Sequence, residues 1–213
     1  MRAVIFANGQ FSDPAGCRRL VQGGDLIVAV DGGTAHALAA GLAPHVVIGD
    51  LDSLEPARRA ELQAMQVAVV SHPAAKDETD LELALLYAAR QGVKEILVLA
   101  ALGGRLDHMV ANLSLLAHPA LSGVVVRIVD GRQLAFLVRD RCCISGQRGD
   151  TVSLLPWGGD ALGVSTQGLR WPLDREPLFF GLARGVSNVL VEEEAWVQVQ
   201  EGMLLCVVTH GGE

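Results

Sequence analysis

Six aspartates of the 213-residue chain fall in the connections that follow apolar runs: Asp31, Asp50, Asp52, Asp77, Asp80 and Asp107. Gly49-Asp50-Leu51-Asp52-Ser53 sets two carboxylates at i and i+2, able to bracket one hard cation. Oxygen donors of this kind suit Mg2+, which takes one or two carboxylates and completes its shell with water and substrate phosphates. The same pair could instead cap a following helix and favour its dipole. Lys76-Asp77-Glu78-Thr79-Asp80 carries one of only two lysines in the chain, and Asp77 and Asp80 could face the same metal. Here the alternative is an N-cap at Thr79 with acidic first-turn residues. Leu102-Gly103-Gly104-Arg105-Leu106-Asp107-His108 is a glycine turn whose N–H groups can approach a phosphate, with Arg105 placed to bind its oxygens. Asp31-Gly32-Gly33 repeats the strand–turn–helix setting. Neither turn fits the GxxxxGK[ST] or GxGxxG spacing, so neither is a standard P-loop nor a dinucleotide fingerprint. Together these residues suggest phosphoryl or nucleotidyl transfer, in which charge neutralisation does most of the work.

The elements that must hold them alternate over the first 130 residues. Val/Ile-rich runs at Ala3–Ala7, Leu26–Val30, Val46–Ile48, Val67–Val70, Ile96–Ala100 and Val124–Val129 read as strands buried on both faces. Helical stretches lie between them at Pro14–Val21, Thr34–Ala40, Pro56–Met65, Thr79–Gln91 and Leu106–Ala117. That order predicts βαβ units around a mostly parallel sheet, with all six aspartates on the edge formed by the strands' carboxyl ends. From Gly131 onward the pattern changes to short runs broken by Gly, Pro, Asp and Asn: Leu134–Val138, Thr151–Leu155, Ala161–Ser165, Val186–Val191, Trp196–Val199 and Leu204–Val208. These predict a small β-sandwich or barrel.

Composition narrows the class. Half the residues are hydrophobic and 19% are charged, which excludes a disordered chain, and the net charge of −7 argues against a nucleic-acid binder. Between Asp25 and Val110 stand twelve acidic residues against six basic ones. No apolar run approaches a membrane span, and the N-terminus reads as a first strand rather than a signal peptide, so a soluble cytoplasmic protein is expected. Cys17, Cys142, Cys143 and Cys206 form no CxxC pair and read as buried free thiols. His36, His45, His72, His118 and His210 read as surface or packing residues, whereas His108 adjoins Asp107 and could contact a nucleotide.

In order and spacing, Asp31-Gly32-Gly33, Gly49-Asp50-Leu51-Asp52-Ser53, Lys76-Asp77-Glu78-Thr79-Asp80 and Gly103-Gly104-Arg105-Leu106-Asp107-His108 resemble the motifs of the thiamine pyrophosphokinase (thiamine diphosphokinase) family. Ser165-Thr166-Gln167-Gly168-Leu169-Arg170-Trp171-Pro172-Leu173 and Gly185-Val186-Ser187-Asn188 resemble its C-terminal signatures, so the likeness runs over residues 4–208. The resemblance implies a three-layer Rossmann-like α/β catalytic domain with a mostly parallel sheet over residues 1–130. It implies a β-sandwich for thiamine binding and dimerisation over 131–213, and a homodimer with the active site at the subunit interface. It implies transfer of a pyrophosphoryl group from ATP, the co-substrate, to the hydroxyl of thiamine, with Mg2+ as cofactor. By position, Asp50, Asp52 and Asp80 would hold the metal and, with Asp77, act in catalysis. Asp31, Gly32, Gly33, Lys76, Gly103, Gly104, Arg105, Asp107 and His108 would serve the nucleotide. Asp77, Thr79, Trp171, Ser187 and Asn188 would serve thiamine, although Trp171 also reads as a core tryptophan of the sandwich. Leu190 stands where some relatives place an aromatic residue, which leaves the stacking partner of the thiamine ring open. Two rivals remain: a pyrophosphokinase or nucleotidyltransferase acting on another alcohol, and a non-catalytic sensor of thiamine or nucleotide.

Overall fold

Uninterrupted apolar runs become strands in the first part of the chain, largely buried along Arg2–Phe6, Leu26–Val30, Val46–Gly49 and Glu95–Leu99. The edge strand Ala68–Ser71 is largely exposed, which corrects the expectation of cover on both faces there. The computed structural model describes residues 1–49, 62, 64–72 and 76–211. The expected helix Pro56–Met65 falls largely outside them, as do Asp50 and Asp52. The described residues divide into two compact units, Met1–Gly131 and Arg132–Glu213.

In the first unit the strands are β1 (Arg2–Phe6), β2 (Leu26–Val30), β3 (Val46–Gly49), β4 (Ala68–Ser71), β5 (Glu95–Leu99) and β6 (Val125–Asp130). They pair in parallel in the order β6-β5-β1-β2-β3-β4. Val4, Phe6, Leu97 and Leu99 pack with Ala37 and Ala40 in one apolar cluster. The helices are α1 (Pro14–Leu20), α2 (Gly33–Ala39), α3 (Asp80–Arg90) and α4 (Leu106–Leu115). Asp13 caps α1 by accepting from Gly16 N at 2.8 Å, and Pro14 occupies its first turn. Thr79 caps α3 by accepting from Glu82 N at 3.2 Å. Strand order reverses between β1 and β5, and at such a point the connections diverge and leave a crevice beyond the strand ends. No described helix is long and apolar enough to cross a membrane.

The second unit is antiparallel. One sheet runs β12 (Asn188–Val189), β9 (Thr151–Pro156), β14 (Leu204–Thr209), β7 (Gln133–Val138); the other runs β11 (Glu176–Leu178), β10 (Ala161–Gln167), β13 (Glu194–Gln198), β8 (Arg141–Ser145). Side chains alternate along β9 and β13, and the inward ones from both sheets share a single core that includes Val152, Leu154, Val197, Leu204 and Leu190. Strands β8 and β11 were not anticipated, because the Arg-Cys-Cys and Glu-Pro segments break the Val/Ile pattern. The expected run Val186–Val191 shrinks to Asn188–Val189, since Ser187 adopts φ +61° and turns the chain. None of the four cysteines is paired in a disulfide, but only Cys206 is buried, and burial pushes its thiol pKa up. Cys17, Cys142 and Cys143 are partly covered, which corrects the buried reading for three of the four.

One buried carboxylate ties this unit to its last strand. Asp150 is 1% exposed and accepts from Gln147 N at 2.9 Å, His210 Nδ1 at 2.7 Å and Gly211 N at 2.9 Å. Burial works to raise its pKa, but the amide of Gln147, the imidazole of His210 and the amide of Gly211 outweigh it and hold the pKa below the ordinary 3.8. The carboxylate therefore contributes stability that is present above the unfolded-state value and is lost as pH falls through the lower folded one. Asp150→Ala orphans two amide donors, and we expect it to lower the unfolding free energy by about 3 kcal/mol in urea titrations at pH 7. The wild-type advantage over this variant shrinks as the titration is repeated below pH 4.

Candidate active site

Beyond the carboxyl ends of β1, β2 and β5 lies a cavity of about 610 Å³. Its walls bring together Asp31, Thr79, Asp80, Gly103, Gly104, Arg105 and His108, all singled out from the sequence. Two backbone segments define it. Ala7 N donates to Leu99 O at 2.9 Å, Gly9 N to Ala100 O at 2.7 Å and Gln10 N to Leu102 O at 2.9 Å, so the connection after β1 is clamped along the connection after β5. A Cβ at Gly9 would lie 2.5 Å from both the Ala100 and the Leu102 carbonyl oxygens, so only glycine permits the contact. Asp31 and Ala100, the residues just after β2 and β5, hold φ of +43° and +54°. Such conformations cost on the order of 1–3 kcal/mol each for non-glycine residues and tend to gather at functional sites.

The carboxylates divide by setting. Asp31 lines the cavity and sits directly on Gly49, whose Cβ would stand 1.8 Å from Asp31 Oδ1. Asp80 also lines the cavity and is ion-paired with Lys76, whose side chain is only 13% exposed. Lys76 thus meets a carboxylate rather than the cavity. Asp77 is exposed on the segment entering α3. Asp107 is exposed at the start of α4 and faces Arg105, with Arg105 Nε at 3.1 Å and NH2 at 2.6 Å. The Arg105 guanidinium, with lesser help from the His108 amide, lowers its pKa to about 2. The single acidic rim expected from the sequence is therefore narrower among the described residues: two carboxylates face the cavity, and two stand on the entering segments.

Anion-favouring groups share the lining. Gly103 and Gly104 have φ of +84° and +82°, and α4 begins at Leu106 with no side-chain cap. Asn112, nearly two turns into α4, donates from Nδ2 to Ala101 O at 2.7 Å and ties the helix to the start of the turn. Gly32 and Gly33 do not line the cavity; Gly33 lies against Phe6, whose carbonyl oxygen is 2.1 Å from where a Cβ would be. His36 donates from Nε2 to Gly9 O at 3.1 Å and lies on Phe11, and His45 Nδ1 accepts from Ile27 N at 3.0 Å, so both are packing residues. Sequence reasoning missed Asn8, Gly9, Gln10 and Asn112 in the lining. The signal for the first three was a polar triplet ending the first apolar run at the reversal of strand order.

The thiamine candidates of the second unit cluster locally. Asn188 Oδ1 accepts from Trp171 N at 3.1 Å, and its Nδ2 donates to Trp171 O at 2.7 Å. Its amide is thereby committed to positioning the Trp171 turn. Trp171 is 57% exposed with the Arg170 guanidinium 5.6 Å from its ring centroid, which overturns the core reading. Leu190 is 1% exposed in the core and cannot stack on a ligand.

Among the described residues no group of three or more His, Cys, Asp or Glu is close enough to hold a metal ion. Of the three aspartates expected to hold Mg2+, Asp50 and Asp52 lie outside the described residues, and Asp80 lines the cavity with the hard oxygen donor that this ion takes alongside phosphates and water. Carboxylates facing an uncapped helix start and a glycine–arginine turn, at the reversal point of a parallel sheet, are the equipment of a phosphotransferase on an α/β scaffold.

Comparison with known proteins narrows this class. The model for the thiamin pyrophosphokinase catalytic domain matches residues 17–128, and that for the thiamin pyrophosphokinase vitamin B1 binding domain matches 142–204. The chain belongs to the thiamine pyrophosphokinase family. It is 27% identical to a thiamine pyrophosphokinase of Bacillus subtilis over 85% of this chain and 86% of that protein. It is 31% identical to thiamine pyrophosphokinase 1 of Oryza sativa subsp. japonica over 70% of this chain, spanning 60% of the rice protein's length. A crystal structure of the Bacillus subtilis thiamine pyrophosphokinase superposes with a TM-score of 0.87 at 26% identity, covering 99% of this chain and 100% of that one.

Gly9→Ala should lower the unfolding free energy by about 1–3 kcal/mol in urea, because both obstructing atoms are backbone and neither can move aside. Gly23→Ala, with open space around its α-carbon, should stay within about 0.5 kcal/mol of wild type. Equal effects at the two positions would discount the close approach.

Proposed function

We propose that this family member catalyses transfer of the pyrophosphoryl group of ATP to the hydroxyethyl group of thiamine, giving thiamine diphosphate and AMP. The observation that carries the reading is the pairing of both family-model matches with a cavity, inside the first match, that joins two carboxylates to a glycine–arginine turn. Residues 1–130 serve as a three-layer Rossmann-like catalytic domain, and residues 131–213 as the sandwich that binds thiamine and dimerises. The enzyme works in the cytoplasm as a homodimer with its active site at the subunit interface.

The thiamine oxygen attacks the β-phosphorus in line, the bond from that phosphorus to the α,β-bridging oxygen breaks, and AMP leaves. The hydroxyl proton passes to a carboxylate of the Asp77–Asp80 segment. Gly103, Gly104 and Arg105 hold the phosphates by N–H and guanidinium donors, which strengthens as charge spreads over the equatorial oxygens. Asp107 keeps the Arg105 side chain extended along α4, and His108 closes the same wall. Asp80, with Asp50 and Asp52, would hold Mg2+, which supplies charge neutralisation on the polyphosphate when bound. Lys76 balances Asp80. Asp31 orients the nucleotide, and Gly32 and Gly33 support it by close packing behind the cavity. Thr79 keeps the start of α3 in place beside the substrate. In the second unit Ser187 and the exposed Trp171 meet thiamine, and Asn188 acts by positioning Trp171.

Incubation with ATP, Mg2+ and thiamine should release AMP and thiamine diphosphate in equal amounts, as followed by chromatography; ADP or free pyrophosphate as the product would refute the reading. Asp80→Asn should keep the wild-type circular dichroism spectrum and lose at least about 100-fold in kcat. Trp171→Ala should raise KM for thiamine about tenfold and leave KM for ATP unchanged.

A further inference from the structure

The cavity also carries neutral polar residues, beside the glycine–arginine turn, that the phosphate chemistry leaves unused. Asn8 and Gln10 leave the carboxyl end of β1 at the reversal of strand order, and both side chains line the cavity. Neither carboxamide makes a hydrogen bond within the described residues. Both residues are exposed, and each lies against a motif glycine. A Cβ on Gly32 would fall 2.2 Å from Asn8 Oδ1, and a Cβ on Gly103 would fall 2.5 Å from Gln10 Cγ and 2.6 Å from its Cδ. The glycines of the two strand–turn–helix motifs therefore act as seats for these carboxamides. Their backbone is fixed through the hydrogen bonds of Gly9 and Gln10 to the β5 connection.

Charged groups answer the charged parts of a nucleotide: Arg105 and the N–H groups of the turn for phosphate, Asp80 for its cation. A carboxamide brings no net charge but sets a donor and an acceptor side by side. That pair matches the adenine edge, where N6–H2 donates and N7 accepts. Guanine offers two acceptors there, O6 and N7, so one carboxamide cannot satisfy both with its donor and acceptor together. The stretch matched by the catalytic-domain model begins at residue 17, so these two residues lie outside it.

We propose that Asn8 and Gln10 read the purine edge of ATP and set the nucleotide preference of the enzyme; this rests on the ATP-dependent reading above. Leucine keeps the approximate volume and removes the hydrogen bonds, so Asn8→Leu and Gln10→Leu are compared with wild type in kcat/KM for ATP and GTP at saturating thiamine. AMP binding is measured in parallel by calorimetry, and thermal melts establish that the variants are folded. Each variant should lose about tenfold in kcat/KM for ATP through KM, with little change for GTP and none in KM for thiamine, so the ATP-over-GTP preference falls about tenfold. An unchanged ratio overturns the proposal, and so does an equal loss on both nucleotides, which would mark a general loop or phosphate role. Should the wild type form no thiamine diphosphate, the catalytic reading fails separately and AMP binding decides: about tenfold weaker in the variants supports nucleoside reading, unchanged affinity refutes it.

Discussion

The cavity depends on backbone lying directly against backbone. At the reversal of strand order the connections after β1 and β5 must separate toward their own helices, yet here they first run together for several residues, joined by hydrogen bonds from Ala7, Gly9 and Gln10. Only a residue without a side chain can pass between the Ala100 and Leu102 carbonyls. That contact places the polar residues of one connection and the phosphate-favouring turn of the other on the same cavity. The positive φ of Ala100 is the strain that this path imposes on a residue carrying a Cβ, and the packed strands beneath hold it there.

Charge balance is the second constraint. Two unit charges about 6 Å apart repel by about 3 kcal/mol at an effective dielectric constant of about 20, so an acidic edge needs compensation before any substrate arrives. The chain provides part of it internally, with Lys76 on Asp80 and Arg105 on Asp107. Both pairs stand at helix starts, where negative charge is already favoured. The exposed Arg105–Asp107 pair differs in kind from the nearly buried Lys76–Asp80 pair. The former is screened by water and leaves the guanidinium able to reorient, whereas the latter is fixed beside the cavity.

Much of the fold was legible because the physics is local. Leu26–Val30 is a strand with the bounds its apolar run suggested, and Thr79 caps α3 as its hydroxyl and the acidic first turn indicated. The weaker readings fail where tertiary contacts decide. Arg141–Ser145 lacks a Val/Ile run and becomes a strand because β13 pairs along it. Val186 and Ser187 have strand-like composition but are bent out of the sheet, with Ser187 N donating to Ser153 Oγ at 3.0 Å. At the cavity the charged and glycine positions were readable from residue type and spacing, since phosphate chemistry demands those types. Asn8 and Gln10 were not, because a neutral amide after a strand resembles any loop residue until its neighbours are known.

The motif glycines show a second use for a missing side chain. Read from the sequence, Gly32 and Gly103 allow backbone to approach a phosphate. Among the described residues what approaches them is protein: the side chains of Asn8 and Gln10 fill the space a Cβ would take. A similar exchange of roles holds at Gly49, where the carboxylate of Asp31 occupies that space. Three glycines in three separate motifs thus leave room for three polar side chains, two of them neutral and one charged. Glycine at these positions is then a requirement of side-chain placement, distinct from the conformational need that Gly103 and Gly104 share through their positive φ.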